Sequence, residues 1–398
     1  MADQRRITLL VTSEATAISF YPGYPEFLRS RGWDVTLIAD SQGHLESSTA
    51  LAGATIYAVS MKRDPAPLHD LRSLVELFKT LQKISPDVLV FATPKASLLG
   101  SIAGFVLRVP VRSYQLWGLR LETEHSIKRR ILLGFEKLTS RLATEVVANS
   151  RSLAGQATKL GATAGRPISV IGAGSGLGVD VEHYSPTASL PELDLATQKF
   201  LGNSGAFTVG FVGRIHPHKG IETLIRAASA LSEKRSGVRL LLVGAEDGAR
   251  VNRLLRGTPE SLQVHVVGGV SDVRPYYSVM DVHCLPTLRE GFPNVVLEAS
   301  AMEIPTITTN ATGAMDSVLD KTTGYIFPIG DSESLCKYML HLYDQPDKRI
   351  ELGRAARSHV INSFSRTMLW DLHERHLRAQ HDGVKAAVSA REGRGVWR

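Results

Sequence analysis

Short apolar runs alternate along the chain with stretches of helical length whose apolar positions recur every three to four residues. That is the pattern of parallel strands covered by crossover helices. In the first half the strand runs are Ile7–Val11, Val35–Ala39, Thr55–Val59, Val88–Phe91, Val111–Gln115, Glu145–Ala148 and Ile168–Ile171, with helices expected near 23–31, 68–84, 95–107, 126–142 and 150–159. Pro86 and Pro110 stand just before strands, where a missing amide stops the preceding helix.

The second half restarts the same grammar. Its strand runs are Thr208–Val212, Arg239–Val243, Val264–Val267, Val282–Leu285, Thr306–Thr309 and Tyr325–Phe327, with helices near 220–234, 246–256, 272–280, 294–302, 332–344 and 346–362. Ser185-Pro186, Pro191 and Gly202-Asn203 mark 183–205 as a linker with a short helix. The expected fold is therefore α/β, with two Rossmann-like parallel-sheet domains at 1–182 and 206–363 facing each other across a cleft. A helix at 364–382 is expected to return to the first domain, and 383–398, poor in apolar periodicity, to be a flexible tail. In open parallel sheets ligands bind beyond the C-terminal ends of strands, so chemistry is sought in the loops that follow them.

Composition narrows the classes. A chain of 398 residues with 43% hydrophobic and 21% charged residues has ample apolar content for two cores, which excludes disorder and a disulfide-stapled fold. Two cysteines are too few for a disulfide framework or a cysteine-based zinc site, and suggest a reducing compartment. The opening segment reads as a buried strand instead of a secretory leader, and no run approaches the ~20 apolar residues of a membrane span. The net charge of +7 is uneven: residues 1–185 carry 21 basic and 16 acidic side chains, the remainder 25 and 23. Dense basic tracts with interleaved aromatics are absent, which argues against nucleic acid and leaves an anionic ligand or a membrane surface.

Two strings carry chemistry. In REGFPNVVLEA at 289–299, Glu290 and Gly291 form a loop after a strand, and a helix starts at Pro293 or Asn294. The amides of Phe292, Asn294 and Val295 can face a diphosphate at the positive end of that helix. Glu298, one turn further on, suits the vicinal diol of a ribose; Glu290 lies where it can reach a sugar on the terminal phosphate. In GFVGRIHPHKG at 210–220, Gly213 allows a tight turn and Arg214 and Lys219 flank the loop, two cations placed to neutralise a diphosphate leaving group without a metal. His216 and His218 lack metal-ligand spacing and read as loop residues.

These two strings resemble the nucleotide-sugar half of the retaining family 4 glycosyltransferases, which have the GT-B architecture. VGAED at 243–247, YYSVMDVHCLPT at 276–287 and GAMDSVLDKTTGYIFP at 313–328 follow in the same order. The resemblance implies transfer from a nucleoside diphosphate sugar, most simply a UDP-sugar, with Arg214 and Lys219 on the diphosphate and Glu290 on the donor sugar. Glu298 would hold the ribose and Gly268-Gly269-Val270 would meet the base. The first half is similar to bacterial enzymes of capsule, O-antigen and lipid-linked glycan assembly, through MKRDPAPLHDL at 61–71, TPKASLLG at 93–100 and GLRLE at 118–122. Lys95, Arg120 and Glu122 would then lie on the acceptor side, with Ser13. Two departures stand out. Ser13–Ala17 replaces the glycine pair many members have after the first strand, and Trp117 occupies the point of a frequent histidine. Tryptophan cannot act as acid or base, so no general base is assigned to the first domain.

IGAGSGLGVD at 171–180 mimics a dinucleotide fingerprint, but its glycines alternate and no helix opens on them. The stretch at 126–143 gathers Ile127, Ile131, Leu132, Phe135 and Leu138 on one face with Lys128, Arg129, Arg130, Lys137 and Arg141 around them. It reads either as a membrane-surface helix or as one packed on its domain. The expected activity is sugar transfer from a nucleotide-sugar to a lipid-linked or other glycan acceptor, with no metal or other cofactor, in the cytoplasm or at the inner face of its membrane. Alternatives on the same architecture are a nucleotide-sugar epimerase and a non-catalytic sugar-nucleotide-binding protein.

Overall fold

The computed structural model of the chain describes residues 5–392, except 42, 44, 46, 47, 63, 203, 204, 249 and 250. All thirteen apolar runs are strands: β1 (Arg5–Ser13), β2 (Trp33–Asp40), β3 (Ala54–Ala58), β4 (Val88–Ala92), β5 (Val111–Leu116), β6 (Glu145–Ala148), β7 (Ile168–Ser169), β8 (Phe207–Val212), β9 (Val238–Val243), β10 (Leu262–Gly268), β11 (Val282–Leu285), β12 (Thr306–Thr309) and β13 (Gly324–Phe327). They form two wholly parallel sheets, ordered β3-β2-β1-β4-β5-β6-β7 and β10-β9-β8-β11-β12-β13. Strands covered on both faces read as near-continuous apolar runs, and β8 and β9 are buried at every residue, Thr208 and Arg239 included. The two sheets share one winding: the strand order reverses beside the first strand of each, between β1 and β4 and between β8 and β11. The loops after those strands part company there and leave room for a ligand.

The chain divides into two compact units, Met1–Leu177 with Met368–Arg398, and Gly178–Thr367. Gly178–Glu182, read from sequence as the end of the first domain, thus belongs to the second. Arg366 explains this: its guanidinium holds Asp180 at 3.1 Å and its amide donates to the Val179 carbonyl. In the first unit, the helix Arg366–Glu392 runs against the start of the sheet. The Trp33 indole donates to Glu374 at 2.9 Å, Arg31 pairs with Asp371, and Trp370 leans on Tyr24 and Phe27. The tail expected from Gly383 is helical as far as Glu392. A single glycine costs a helix only about 1 kcal/mol, and the Lys, Ala, Arg and Glu that follow it are good helix formers. Residues 393–398 of that tail, Arg63 and Asn203 lie outside the described residues.

Three local readings are corrected. Ser13–Ala17 is not an open loop: Glu14–Phe20 is a short helix, capped by the Ser13 hydroxyl, which accepts from the Thr16 amide. The helix expected at 272–280 is confined to Arg274–Tyr277, entered through Pro275 and an Asp272 side chain turned onto Arg274. The one expected at 246–256 is described only as Val251–Leu254.

Candidate functional site

In the second unit the sequence strings fall on the two loops at the strand-order reversal. After β8, Gly213 takes φ +141°, the chain makes a tight turn at Pro217–Lys219, and Gly220 in the left-handed region opens the helix Ile221–Lys234. A side chain at Gly220 would strike the Pro286 carbonyl, so glycine is what lets this loop lie directly on the one after β11. Hydrogen bonds fix the contact. The Leu288 amide and the Thr287 hydroxyl both donate to the His218 carbonyl, at 2.9 and 3.1 Å. On the far side the Glu290 amide donates to the Thr312 carbonyl at 2.8 Å, and a Cβ on Gly313 would come within 2.5 Å of the Glu290 and Gly291 carbonyls. Three loops thus hold Glu290 in place.

The outcome is an ion pair between the two loops. Lys219 Nζ donates to Glu290 Oε1 at 2.5 Å, with side chains only 21% and 14% exposed. Arg214, more exposed, is held by Asp247 after β9, and Gly244 lacks the side chain that would strike the Gly213 carbonyl. Both cations predicted for the phosphates therefore stand at one sheet edge, each oriented by a carboxylate. His216 and His218 lie ring to ring in the same loop, and the His216 ring accepts from the His218 amide. Among the described residues no three His, Cys, Asp or Glu side chains gather as metal ligands.

Helix Asn294–Ala301 starts after Pro293, with Phe292 and Gly291 buried beneath it and Phe292 against Phe364. Buried Val296, Leu297 and Ala299 anchor the helix and leave Asn294 and Val295 partly exposed in its first turn. Glu298 is partly buried; burial pushes its carboxyl up to about 7, against the Tyr277 hydroxyl that donates to it at 3.1 Å and the nearby Arg366 charge. A carboxyl so poised gains from any further hydroxyl donor. Gly269 and Val270 follow β10, where the Gly268 carbonyl accepts from the Gly244 amide at 2.7 Å, tying that loop to the one after β9. The sequence reading missed Asp247, Tyr277 and Gly313 as partners. All three lie inside the strings VGAED, YYSVMDVHCLPT and GAMDSVLDKTTGYIFP, but the order of motifs says nothing about which side chains meet.

In the first unit the acceptor-side candidates end β1 or follow β4 or β5, at one sheet edge. Lys95 is not a solvated lysine: its side chain is 11% exposed and its ammonium donates to Asp70 and to the Asp64 carbonyl, both at 2.6 Å. It ties the helix Pro94–Val106 to the segment before Pro67–Ile84. Ser13 has its hydroxyl in the helix cap, and Trp117 stacks on Phe20 with ring centres 4.4 Å apart. Arg120 is exposed and Glu122 partly buried on the turn after β5.

Comparison with known proteins identifies the family and the fold. Residues 206–345 match the family described as "Glycosyl transferases group 1", and residues 26–174 the "Glycosyl transferase 4-like domain". The chain is 33% identical over 374 residues to the Staphylococcus aureus "Capsular polysaccharide biosynthesis glycosyltransferase CapM", covering 93% of this chain and 96% of that one. An Escherichia coli "UDP-Gal:alpha-D-GlcNAc-diphosphoundecaprenol alpha-1,3-galactosyltransferase" is 24% identical, over 85% of this chain and 87% of its own. Among solved structures, Anabaena HepE in complex with UDP and glucose superposes with a TM-score of 0.75 at 21% identity, over 94% of this chain and 99% of that one. At 33% identity over nearly its whole length to a capsular polysaccharide glycosyltransferase, and with two parallel Rossmann-like sheets, this chain belongs to the family 4 (group 1) glycosyltransferases and has their GT-B fold.

Proposed function

We propose that this glycosyltransferase moves a hexose-type unit from a UDP-sugar to a lipid-linked saccharide, with retention of anomeric configuration, in the assembly of a capsule or related polysaccharide. The observation that carries the reading is the Lys219–Glu290 pair, set by two loops at the strand-order reversal of the second sheet. A diphosphate arriving there competes with Glu290 for the Lys219 ammonium. As the ammonium turns to the phosphate, the carboxylate becomes free to accept from hydroxyls of the attached sugar. Arg214 adds a second charge at the phosphates, the amides of Asn294 and Val295 face them, Glu298 accepts from the ribose, and the backbone at Gly269 and Val270 meets the base.

In the transfer, the bond from the anomeric carbon to the diphosphate oxygen breaks while the acceptor oxygen bonds the same face. The acceptor proton passes to the departing diphosphate oxygen, which dispenses with a general base at Trp117. Negative charge grows on the diphosphate as it leaves, so Lys219 and Arg214 bind the transition state more tightly than the donor. The relatives that assemble capsular polysaccharide or act on a diphosphoundecaprenol-linked sugar support the acceptor class. The test is a panel of UDP-, GDP- and dTDP-sugars offered to the purified chain with a polyprenyl-diphosphate saccharide. Lipid-linked product from a UDP-sugar, with the donor's anomeric configuration, is expected. Turnover restricted to GDP- or dTDP-sugars, an inverted product, or an epimer formed from UDP-GlcNAc without acceptor would each overturn it.

A further inference from the structure

The helix Ser126–Leu142 in the first unit is mounted with its polar side inward. Thr139 and Ser140 are buried, and Glu136 takes a 2.6 Å hydrogen bond from the Tyr114 hydroxyl beneath it. Its apolar side is left facing out: Ile127 is 71% exposed, Ile131 51%, Phe135 45% and Leu138 39%. At 100° per residue these four share one stripe, bordered along one side by Arg130, Lys137 and Arg141 and on the other by Lys128. None of Arg130, Lys137 and Arg141 has an ion-pair partner among the described residues, while Glu124 holds Lys128 at 2.7 Å. The reading of an ordinary helix that buries its apolar face on the domain is therefore corrected; of the five apolar residues only Leu132 packs against the core.

The exposure continues on neighbouring elements. Helices Ser126–Leu142 and Pro67–Ile84 both pack against Pro94–Val106, one on each side. Pro67–Ile84 exposes Leu68 and Leu71 beside Arg72.

We infer that the outward side of the helix Ser126–Leu142 docks on an anionic lipid bilayer, with the Ile127–Leu138 stripe entering the headgroup and upper acyl region and Arg130, Lys137 and Arg141 lying among the lipid phosphates. An apolar stripe edged with cations on a helix that cannot cross a membrane is the chemistry of a surface-lying helix. Charge decides against a second copy of the chain as occupant, because two such faces brought together would set Arg130, Lys137 and Arg141 against their own counterparts. The inference stands on the first unit alone and does not depend on the donor site.

Flotation of the full chain with vesicles tests it, comparing phosphatidylcholine with phosphatidylcholine containing one third phosphatidylglycerol. Binding is expected only to the anionic vesicles and should be released by high salt. Ile131→Glu with Phe135→Glu should abolish it. Arg130→Ala, Lys137→Ala and Arg141→Ala together should weaken it on the order of a hundredfold, from about fivefold per basic residue near an anionic surface. Because four of these side chains are exposed and Lys137 is half-buried, thermal unfolding should stay near the wild-type value and certify the fold. Absence of binding to anionic vesicles at low salt, equal binding to neutral ones, an unaffected Ile131/Phe135 double variant, or a dimer in light scattering that the double variant dissolves would each overturn the inference.

Discussion

Donor binding should weaken as the pH falls through neutrality, and Glu298 should be the cause. Burial raises its carboxyl to about 7, so near neutral pH it is half protonated before donor arrives. A ribose donates hydrogen bonds and therefore selects the ionised form; two such bonds should bring the group back towards the ~4.3 of an ordinary glutamate. Linkage then sets the size of the effect. At pH 8 nearly all of the protein is already ionised, while at pH 6 about one molecule in eleven is, so UDP affinity should fall about tenfold, or ~1.4 kcal/mol, between the two. Calorimetric titration of UDP from pH 8.5 to 5.5 measures this. The terminal phosphate of UDP itself titrates near ~6, but that contribution is shared by Glu298→Gln, which keeps the shape and loses the titration. The wild-type curve should therefore be steeper than that of Glu298→Gln by about tenfold over those two pH units. Parallel curves would refute both the ribose assignment and the electrostatic reasoning behind it.

Three other outcomes are expected. Glu136, pushed by burial to about 7, holds its proton more tightly in the folded than in the unfolded chain, so its contribution to stability is lost as pH rises from ~4.3 through 7, by at most about 4 kcal/mol. Thermal melts of Glu136→Gln should accordingly fall less between pH 5.5 and pH 8 than those of the wild type; identical pH profiles would contradict this. Gly220→Ala forces a side chain at φ +72° into the Pro286 carbonyl and should cost roughly 1–3 kcal/mol in urea unfolding. By displacing Lys219 it should also lower kcat on the order of a hundredfold, and unchanged turnover would contradict the role given to that loop. Lys95→Met strands the Asp70 carboxylate and should destabilise by up to about 3 kcal/mol while leaving the donor KM unchanged, whereas a raised donor KM would place Lys95 in the nucleotide site.

The strands were legible because parallel sheets buried on both faces write themselves as uninterrupted apolar runs, and all thirteen runs are strands. Lys219 and Glu290 were legible as loop residues through the glycines and the helix start beside them. Their mutual ion pair was not, because 71 positions separate them and only the strand order β8-β11 brings their loops together. The Lys95–Asp70 pair was equally hidden: a lysine at a helix start looks solvated, and nothing local in the chain announces that Asp70 folds back onto it. The helix Ser126–Leu142 shows a further limit. Periodicity finds an apolar stripe but does not say which way it points, and here the buried Glu136–Tyr114 hydrogen bond belongs to the side turned inward. Short helices such as Glu14–Phe20 escape periodicity altogether, since seven residues complete barely two turns.

The central claim is that Lys219 stabilises the charge of a departing diphosphate at this site. Single-turnover transfer from a UDP-sugar to a polyprenyl-diphosphate saccharide, with donor saturating and wild type compared with Lys219→Ala, tests it most directly. The account predicts a transfer rate lower by a hundredfold or more in the variant with acceptor affinity unchanged; equal rates for the two proteins would contradict it.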